Sequence, residues 1–316
     1  MKKETINKDW GIAIGKDTAV TEGIQSVAVS SKRAMAKGQK SVAVSRFGQA
    51  TTVRENSTAV GPMAKTCGER SAAHGFRATA EGDCSTAVGN IAETFGGSSV
   101  ASGSDFAVAK GEFSAAFSPK NARTNASSSV AFASGVGGNA TAAEKCSVAV
   151  GAIPGQVKTK GLCSAAIALG GVGDTHIPEG GDRNMTYDAV AEAPYSVAAG
   201  FSHAAVCTEN EYSVAVAMTE GMAVAKGKCG TAVAGSPYST AYAARLGSVA
   251  IAAAPNSFAA GVLWSYLMLR EWYEENGDVV CNGFKVFFVD GNAVKENVRY
   301  ALDENGNLVT AEDVGA

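Results

Sequence analysis

The densest group of side chains able to bind or catalyse lies in a glycine- and proline-rich stretch, residues 170–187. It carries Asp174, His176, Glu179, Asp182 and Arg183. Carboxylates, an imidazole and a guanidinium set this close can hold a polar ligand, and long loops in compact repeats often carry binding. The competing reading is an insertion tolerated where the chain changes period. Gly170-Gly171-Val172-Gly173 stops short of a dinucleotide fingerprint, and no βαβ pattern surrounds it. A second candidate is His74. It closes the segment Ser71-Ala72-Ala73-His74, where Val29, Val44, Val60 and Val88 close the equivalent segments. An imidazole in an apolar column is either a site, a hydrogen-bonded core residue or the lining of a local lumen.

Cysteine is the third chemically capable type. Seven is an odd number for a disulfide framework. Cys84, Cys146, Cys163 and Cys229 each stand immediately before a Ser-Val-Ala-Val-like segment, in a slot filled elsewhere by Gln25, Lys40, Asn56, Arg70, Phe113 or Tyr212. Cys146 and Cys163 fall in successive segments, one strand spacing apart if the segments stack. A metal, a disulfide and simple filling of the slot all remain open. The paired C-x2-C spacing of zinc sites is missing. No nucleophile–base pair or phosphate loop stands out either. The residues therefore assign no catalytic group, no cofactor and no metal, and a non-enzymatic protein is expected.

The elements that must position these residues follow from a repeat. Ser-Val-Ala-Val-like segments start at Ser26, Ser41, Ser57, Ser71, Ser85, Ser99, Ser114, Ser129, Ser147 and Ser164, and again at Ser196, Ser213, Gly230 and Ser248. Between them lie Ala-x-Ala segments such as Ala34-Met35-Ala36, Ala78-Thr79-Ala80 and Ala223-Val224-Ala225. A unit of about fifteen residues cannot bury a core alone and must stack on its neighbours. Each unit predicts one coil with two short strands and two tight turns. Gly23, Gly38, Gly68, Gly82, Gly111 and Gly227 are expected at turn positions needing positive φ.

The two strands differ in what they show to the outside. Ser-Val-Ala-Val is apolar on both parities, so it wants burial on both faces. The Ala-x-Ala strands are framed by Arg33, Lys37, Arg77, Glu81, Lys110 and Lys226 and read as solvent-facing. One flank is dry and the other wet. A homotrimer closing three dry flanks on one another is the expected partner arrangement.

The Ser-Val-Ala-Val/Ile-Gly unit over about residues 10–260 resembles the head repeat of trimeric autotransporter adhesins. That resemblance implies a left-handed parallel β-roll, a trimer and an adhesive surface. It supplies no catalytic residues. An intact autotransporter would also need a stalk and a membrane anchor, for which the sequence shows no sustained heptads and no barrel strands.

From Gly261 the composition changes to large residues, among them Trp264, Tyr266, Trp272, Tyr273, Phe284, Phe287 and Phe288. Asn276-Gly277, Asp290-Gly291 and Asn305-Gly306 punctuate them, which predicts an antiparallel meander of four or five strands. It would cover the last coil. The run Leu269-Arg270-Glu271-Trp272, with Val289-Asp290-Gly291 and Arg299-Tyr300-Ala301-Leu302, is similar to the C-terminal module of an uncharacterised family of phage and prophage proteins. That similarity implies a viral or prophage origin. The chain departs from the family by opening directly in repeats.

The expected fold class is all-β: a parallel β-roll or β-solenoid of two-strand coils with a small antiparallel cap, as a trimer. The expected organisation is a lead-in over 1–9, coils of about 15 residues over 10–169, a loop over 170–187, coils of about 17 residues over 188–260, and the cap over 261–316. The chain has 316 residues, with 46% hydrophobic, 7% aromatic and a net charge of −3. Few large side chains suit a stack of thin coils, and the near-neutral charge without a basic run argues against a nucleic-acid partner. No run of about eighteen apolar residues predicts a membrane span, and the segment Met1–Asp9 lacks an apolar signal core. The expectation is a structural or binding protein in a host cytoplasm or a virion, with a protein, glycan or small molecule as ligand. The alternatives are an intracellular small-molecule trap at subunit clefts and an adhesin head.

Overall fold

A computed structural model describes residues 11–314 except 24, 39, 54, 55, 69, 83, 153, 154 and 172–186. It is nearly all β and forms a parallel β-solenoid of about 15 turns. The chain divides into two compact units. One comprises residues 1–135 with 141–143, the other 136–140 with 144–316.

In the first unit, the Ser-Val-Ala-Val segments form one parallel ladder of first strands, running from Ile12–Gly15 through Val27–Ser30, Val42–Ser45, Thr58–Val60 and Ala72–His74. The Ala-x-Ala segments form a second ladder through Thr18–Glu22, Arg33–Lys37, Gln49–Val53, Met63–Cys67 and Arg77–Glu81. Register is strict: Ala28 lies opposite Ala43, and Ala34 opposite Ala50. At Thr86–Phe95 and Val100–Ala109 the two strands of a coil fuse into one ten-residue strand.

Period-two alternation sends Ser26, Ala28 and Ser30 inward with Ala34 and Ala36, all buried. The core is therefore thin, one methyl or hydroxymethyl deep from each side. The serine of the motif is structural. Ser41 Oγ donates to the Gly38 carbonyl at 2.8 Å, and Ser71 Oγ to the Gly68 carbonyl at 2.6 Å. The hydroxyl thus satisfies a turn carbonyl that burial would otherwise strand. The second strand also turns a column of hydroxyls inward. Thr21, Thr52, Thr66, Thr94 and Thr124 are buried here without a hydrogen-bond partner among the described residues.

The expected role of the turn glycines holds at Gly82, whose φ is 155°, and is corrected at others. Gly38 and Gly111 do not have positive φ. A Cβ at Gly38 would stand 1.5 Å from the Gly23 carbonyl oxygen, and one at Gly111 would stand 1.4 Å from that of Gly96. These glycines are needed because the backbones of successive coils touch. Positive φ falls instead on the residue just before the motif serine, as at Asn56, Phe113 and Ser128.

The second unit repeats the plan. Its first strands run Val148–Gly151, Ala165–Ala168, Val197–Gly200, Val214–Ala217, Thr231–Ala234 and Val249–Ala252. Its second strands run Val157–Thr159, Ala189–Ala191, Ala205–Thr208, Met222–Ala225, Thr240–Ala243 and Phe258–Gly261. The long strand Tyr266–Glu275 begins as one more coil, with Tyr266 opposite Val249, and then pairs antiparallel with Asp278–Phe288. The chain returns through Tyr300–Leu302 and Leu308–Thr310 to a single helical turn. The C-terminal module is thus two hairpin-like pairs rather than a meander.

The wet flank also differs here. The last four second strands are buried on both faces. Cys207, Met222, Val224, Tyr242 and Ala260 form a cluster on the outer side, with Tyr187 packed against it. Phe258 is covered by Ala301 and Ala311, and Arg299 lies 5.3 Å over its ring. The charged residues of the earlier outer face have been replaced by apolar ones because other chain segments lie on top.

Candidate interaction surface

The outer face of the first strands is apolar and half open. In the first unit it presents Val27 and Val29, Val42 and Val44, Val60, Val88, Val100, Phe117 and Val130. Val60 and Val88 are each 40% exposed, which places the column on the surface. His74 stands in this column with Val60 and Val88 as its in-register neighbours. It is exposed. The imidazole is therefore an interruption of an outward apolar stripe, and it neither lies in the core nor lines a lumen.

The outer face of the second strands in the same unit, with the turns leading into them, carries ion pairs between neighbouring coils beside exposed Met35, Met63 and Phe106. Lys32 meets Asp17 at 2.9 Å, Lys37 meets Glu22 at 3.0 Å, and Lys65 meets Glu81 at 2.8 Å. Exposed pairs like these add little stability, because water and salt screen them. Their effect is to keep this flank solvated. Glu81 also accepts from the Cys67 thiol at 3.2 Å. The Lys65 ammonium lowers the Glu81 carboxyl, whereas burial first and then Glu81 raise the Cys67 thiol. Cys67 is held as a thiol and is a poor nucleophile.

In the second unit the outer first-strand face shows Val197, Val214 and Val216, Val233, and Val249 with Ile251. It continues without a break onto the hairpin. Val249 and Ile251 lie opposite Tyr266 and Met268, and these lie opposite Phe288 and Val286. Tyr266 and Phe288 rings are 5.2 Å apart, and Trp264 meets Phe288 edge-on at 5.7 Å. Val286 is 61% exposed. An aromatic end is thereby attached to the aliphatic stripe.

The turn slot before the motif serine forms its own exposed column. In the second unit it holds Cys146, Cys163, Tyr195, Tyr212 and Cys229, all at φ of 53–56°. Tyr195 and Tyr212 stack at 5.5 Å with their planes 10° apart. Left-handed backbone costs a side-chain-bearing residue ~1–2 kcal/mol. Coil-to-coil bonds offset it: the N–H groups of Cys146, Tyr195 and Tyr212 donate to the carbonyls of Leu162, Glu211 and Lys228. The readable signal for this conformation was Asn56, Asn256 and Gly247 at turn positions of the same kind, the residue types that tolerate it best.

Of the loop candidates, Asp174, His176, Glu179, Asp182 and Arg183 lie outside the described residues. At the loop borders, Gly171 has no room for a Cβ against the Asp188 carboxylate, and buried Asp188 accepts the Ala205 N–H at 3.0 Å. His203 pairs with Glu220 on the adjacent turn at 2.8 Å. A shallow cleft of about 460 Å³ in the C-terminal module is lined by Lys295, Asn297, Arg299, Thr310 and Glu312 among others. Among the described residues no group of three or more His, Cys, Asp or Glu could hold a metal ion, and no helix is long and apolar enough to cross a membrane. No family model matches the chain, and neither a curated protein nor a solved structure matches it.

Proposed function

We propose that the protein is a non-enzymatic scaffold that assembles as a homotrimer through the outer face of its first strands and presents its loops in three copies. The observation that carries this reading is the asymmetry between flanks. One stripe of exposed β-branched and aromatic side chains follows the first strands of each unit. The second strands of the first unit interleave ion pairs with exposed apolar residues such as Met63, Ile91 and Phe106, and the last four of the second unit are already covered, so the first strands alone present an outer face without charge. An exposed apolar stripe of this extent marks an interaction surface, and closed symmetry with the same patch on every subunit buries it without open-ended growth. Function then comes from avidity: three weak loop contacts on a stiff support bind far better than one.

Sedimentation equilibrium of the full chain tests the reading, with three subunits expected and a monomer refuting it. Val60→Glu with Val88→Glu should dissociate the assembly while the circular dichroism of the chain persists, because both side chains point outward. Ala59→Glu should instead abolish folding, since Ala59 is wholly buried and an unpaired carboxylate there costs several kcal/mol.

A further inference from the structure

Cys146 and Cys163 occupy equivalent turn positions on neighbouring coils. The strands that follow them pair in register, Val148 opposite Ala165 and Gly151 opposite Ala168. Both residues have left-handed backbone, with φ of 54° and 55°. Their Cα–Cβ bonds therefore leave the turns in the same direction. The Cys146 N–H donates to the Leu162 carbonyl at 2.9 Å, which locks one turn upon the other. Both thiols are free and exposed.

Adjacent strands lie about 4.7–4.9 Å apart. Two sulphurs on like rotamers are then separated by about that distance. A disulfide needs Cβ atoms about 3.5–4.5 Å apart, closer than one coil translation supplies. A zinc–thiolate bond is about 2.3 Å and a two-coordinate thiolate bond is somewhat shorter, so two such bonds laid end to end span a little under about 4.6 Å, close to the spacing and within reach of a small rotamer adjustment. Zinc demands four ligands, and calcium and magnesium demand oxygens. No third ligand stands with this pair among the described residues. Soft thiolates in a two-coordinate arrangement select a soft monovalent ion.

We propose that Cys146 and Cys163 bind one Cu(I) ion, held linearly between two coils. Two thiols and Cu(I) give a bis-thiolate complex of charge −1 and release two protons, with no change of oxidation state, so uptake rises with pH. The site is independent of the scaffold reading. The fold supplies its own control. Cys229 has the same turn position, the same exposure and φ of 54°. Its neighbours in the column are Tyr212 and Gly247, so it has no second sulphur.

The test is anaerobic titration of the reduced full chain with Cu(I) against a chromogenic Cu(I) chelator. One equivalent per chain should be withheld from the chelator. Cys146→Ser and Cys163→Ser should each weaken retention at least tenfold, with unchanged circular dichroism, and Cys229→Ser should leave it intact. Failure of the unmodified chain to withhold Cu(I), equal retention by Cys146→Ser, or tighter retention of Zn(II) than of Cu(I) would each overturn the proposal.

Discussion

The hydroxyl of Tyr242 donates to Oδ1 of Asn297 at 2.6 Å, joining the repeat stack to a segment 55 residues further along the chain. The Asn297 N–H in turn donates to the Gly261 carbonyl at 2.8 Å. The C-terminal segment thus lies back along the outer side of the second strands and does more than close an end. Tyr242→Phe removes one bond of a buried side chain and leaves Asn297 with an unmet acceptor. The expected loss is about 1 kcal/mol in chemical denaturation. Amide hydrogen exchange should quicken first at residues 297–301, and uniform quickening over the whole chain would contradict this linkage.

Thr52 and Thr66 face each other in register on adjacent coils, with both hydroxyls buried and without a hydrogen-bond partner among the described residues. A buried hydroxyl without a bond costs ~1–3 kcal/mol, whereas an apolar group of the same shape does not. Thr52→Val and Thr66→Val should therefore raise the denaturation midpoint of the first unit. Ser41→Val, changed at a hydroxyl that bonds the Gly38 carbonyl, should lower it. A destabilised Thr52→Val would show that the hydroxyls have partners in solution.

His74 interrupts an apolar column between Val60 and Val88. If three first-strand faces meet, His74 lies in the contact. His74→Val should tighten the assembly, and His74→Glu should loosen it by placing a carboxylate among valines. Subunit dissociation measured over a dilution series should rank the two variants on opposite sides of the unmodified chain. Identical dissociation in all three would remove this face from the contact.

The coil plan was legible because Ser-Val-Ala-Val carries a period of two within a period of about fifteen, and both survive folding unchanged. Ala28, Ala43 and Ala59 went inward as alternation requires. The cause of the glycines was not legible. Gly38 and Gly111 are needed for contacts between coils, and such contacts have no local sequence signature. Phe113 and Tyr212 take the left-handed conformation against their own preference because stacking imposes it. The covered outer face of the second unit was hinted at by Met222, Val224 and Tyr242, where charges would otherwise stand. The partner that covers Tyr242, Asn297, is too distant in the chain to be read from the repeat.

Cys67 should be the slow thiol of the first unit. Burial and the neighbouring Glu81 carboxylate both push its pKa up, so little thiolate exists near neutral pH. Cys84 is exposed. Alkylation followed by peptide mass spectrometry at pH 8 should label Cys84 well before Cys67. Glu81→Gln should narrow the gap by removing one of the two causes. Faster labelling of Cys67 than of Cys84 would contradict the arrangement.

The turn at residues 303–307 should respond to acid. Asp303 Oδ1 accepts the N–H groups of Asn305 at 3.0 Å and Asn307 at 2.7 Å, and Oδ2 accepts the Asn307 amide at 3.1 Å. These bonds hold the Asp303 carboxyl below its ordinary value, the Asn307 N–H contributing most. A carboxyl lowered on folding stabilises the fold fully above its unfolded pKa of about 3.9 and loses that contribution as pH falls through the folded value. The same turn is tied to the long hairpin, where Lys285 Nζ donates to the Gly306 carbonyl at 2.7 Å and pairs with Glu271 at 2.9 Å. Titration from pH 7 down to pH 2, followed by the amide resonance of Asn307, should show the turn loosening only in the acid limb. Asp303→Asn keeps an acceptor but cannot titrate. Its Asn307 resonance should stay flat over the same range, and an acid transition that persists in the variant would assign the response to another carboxyl.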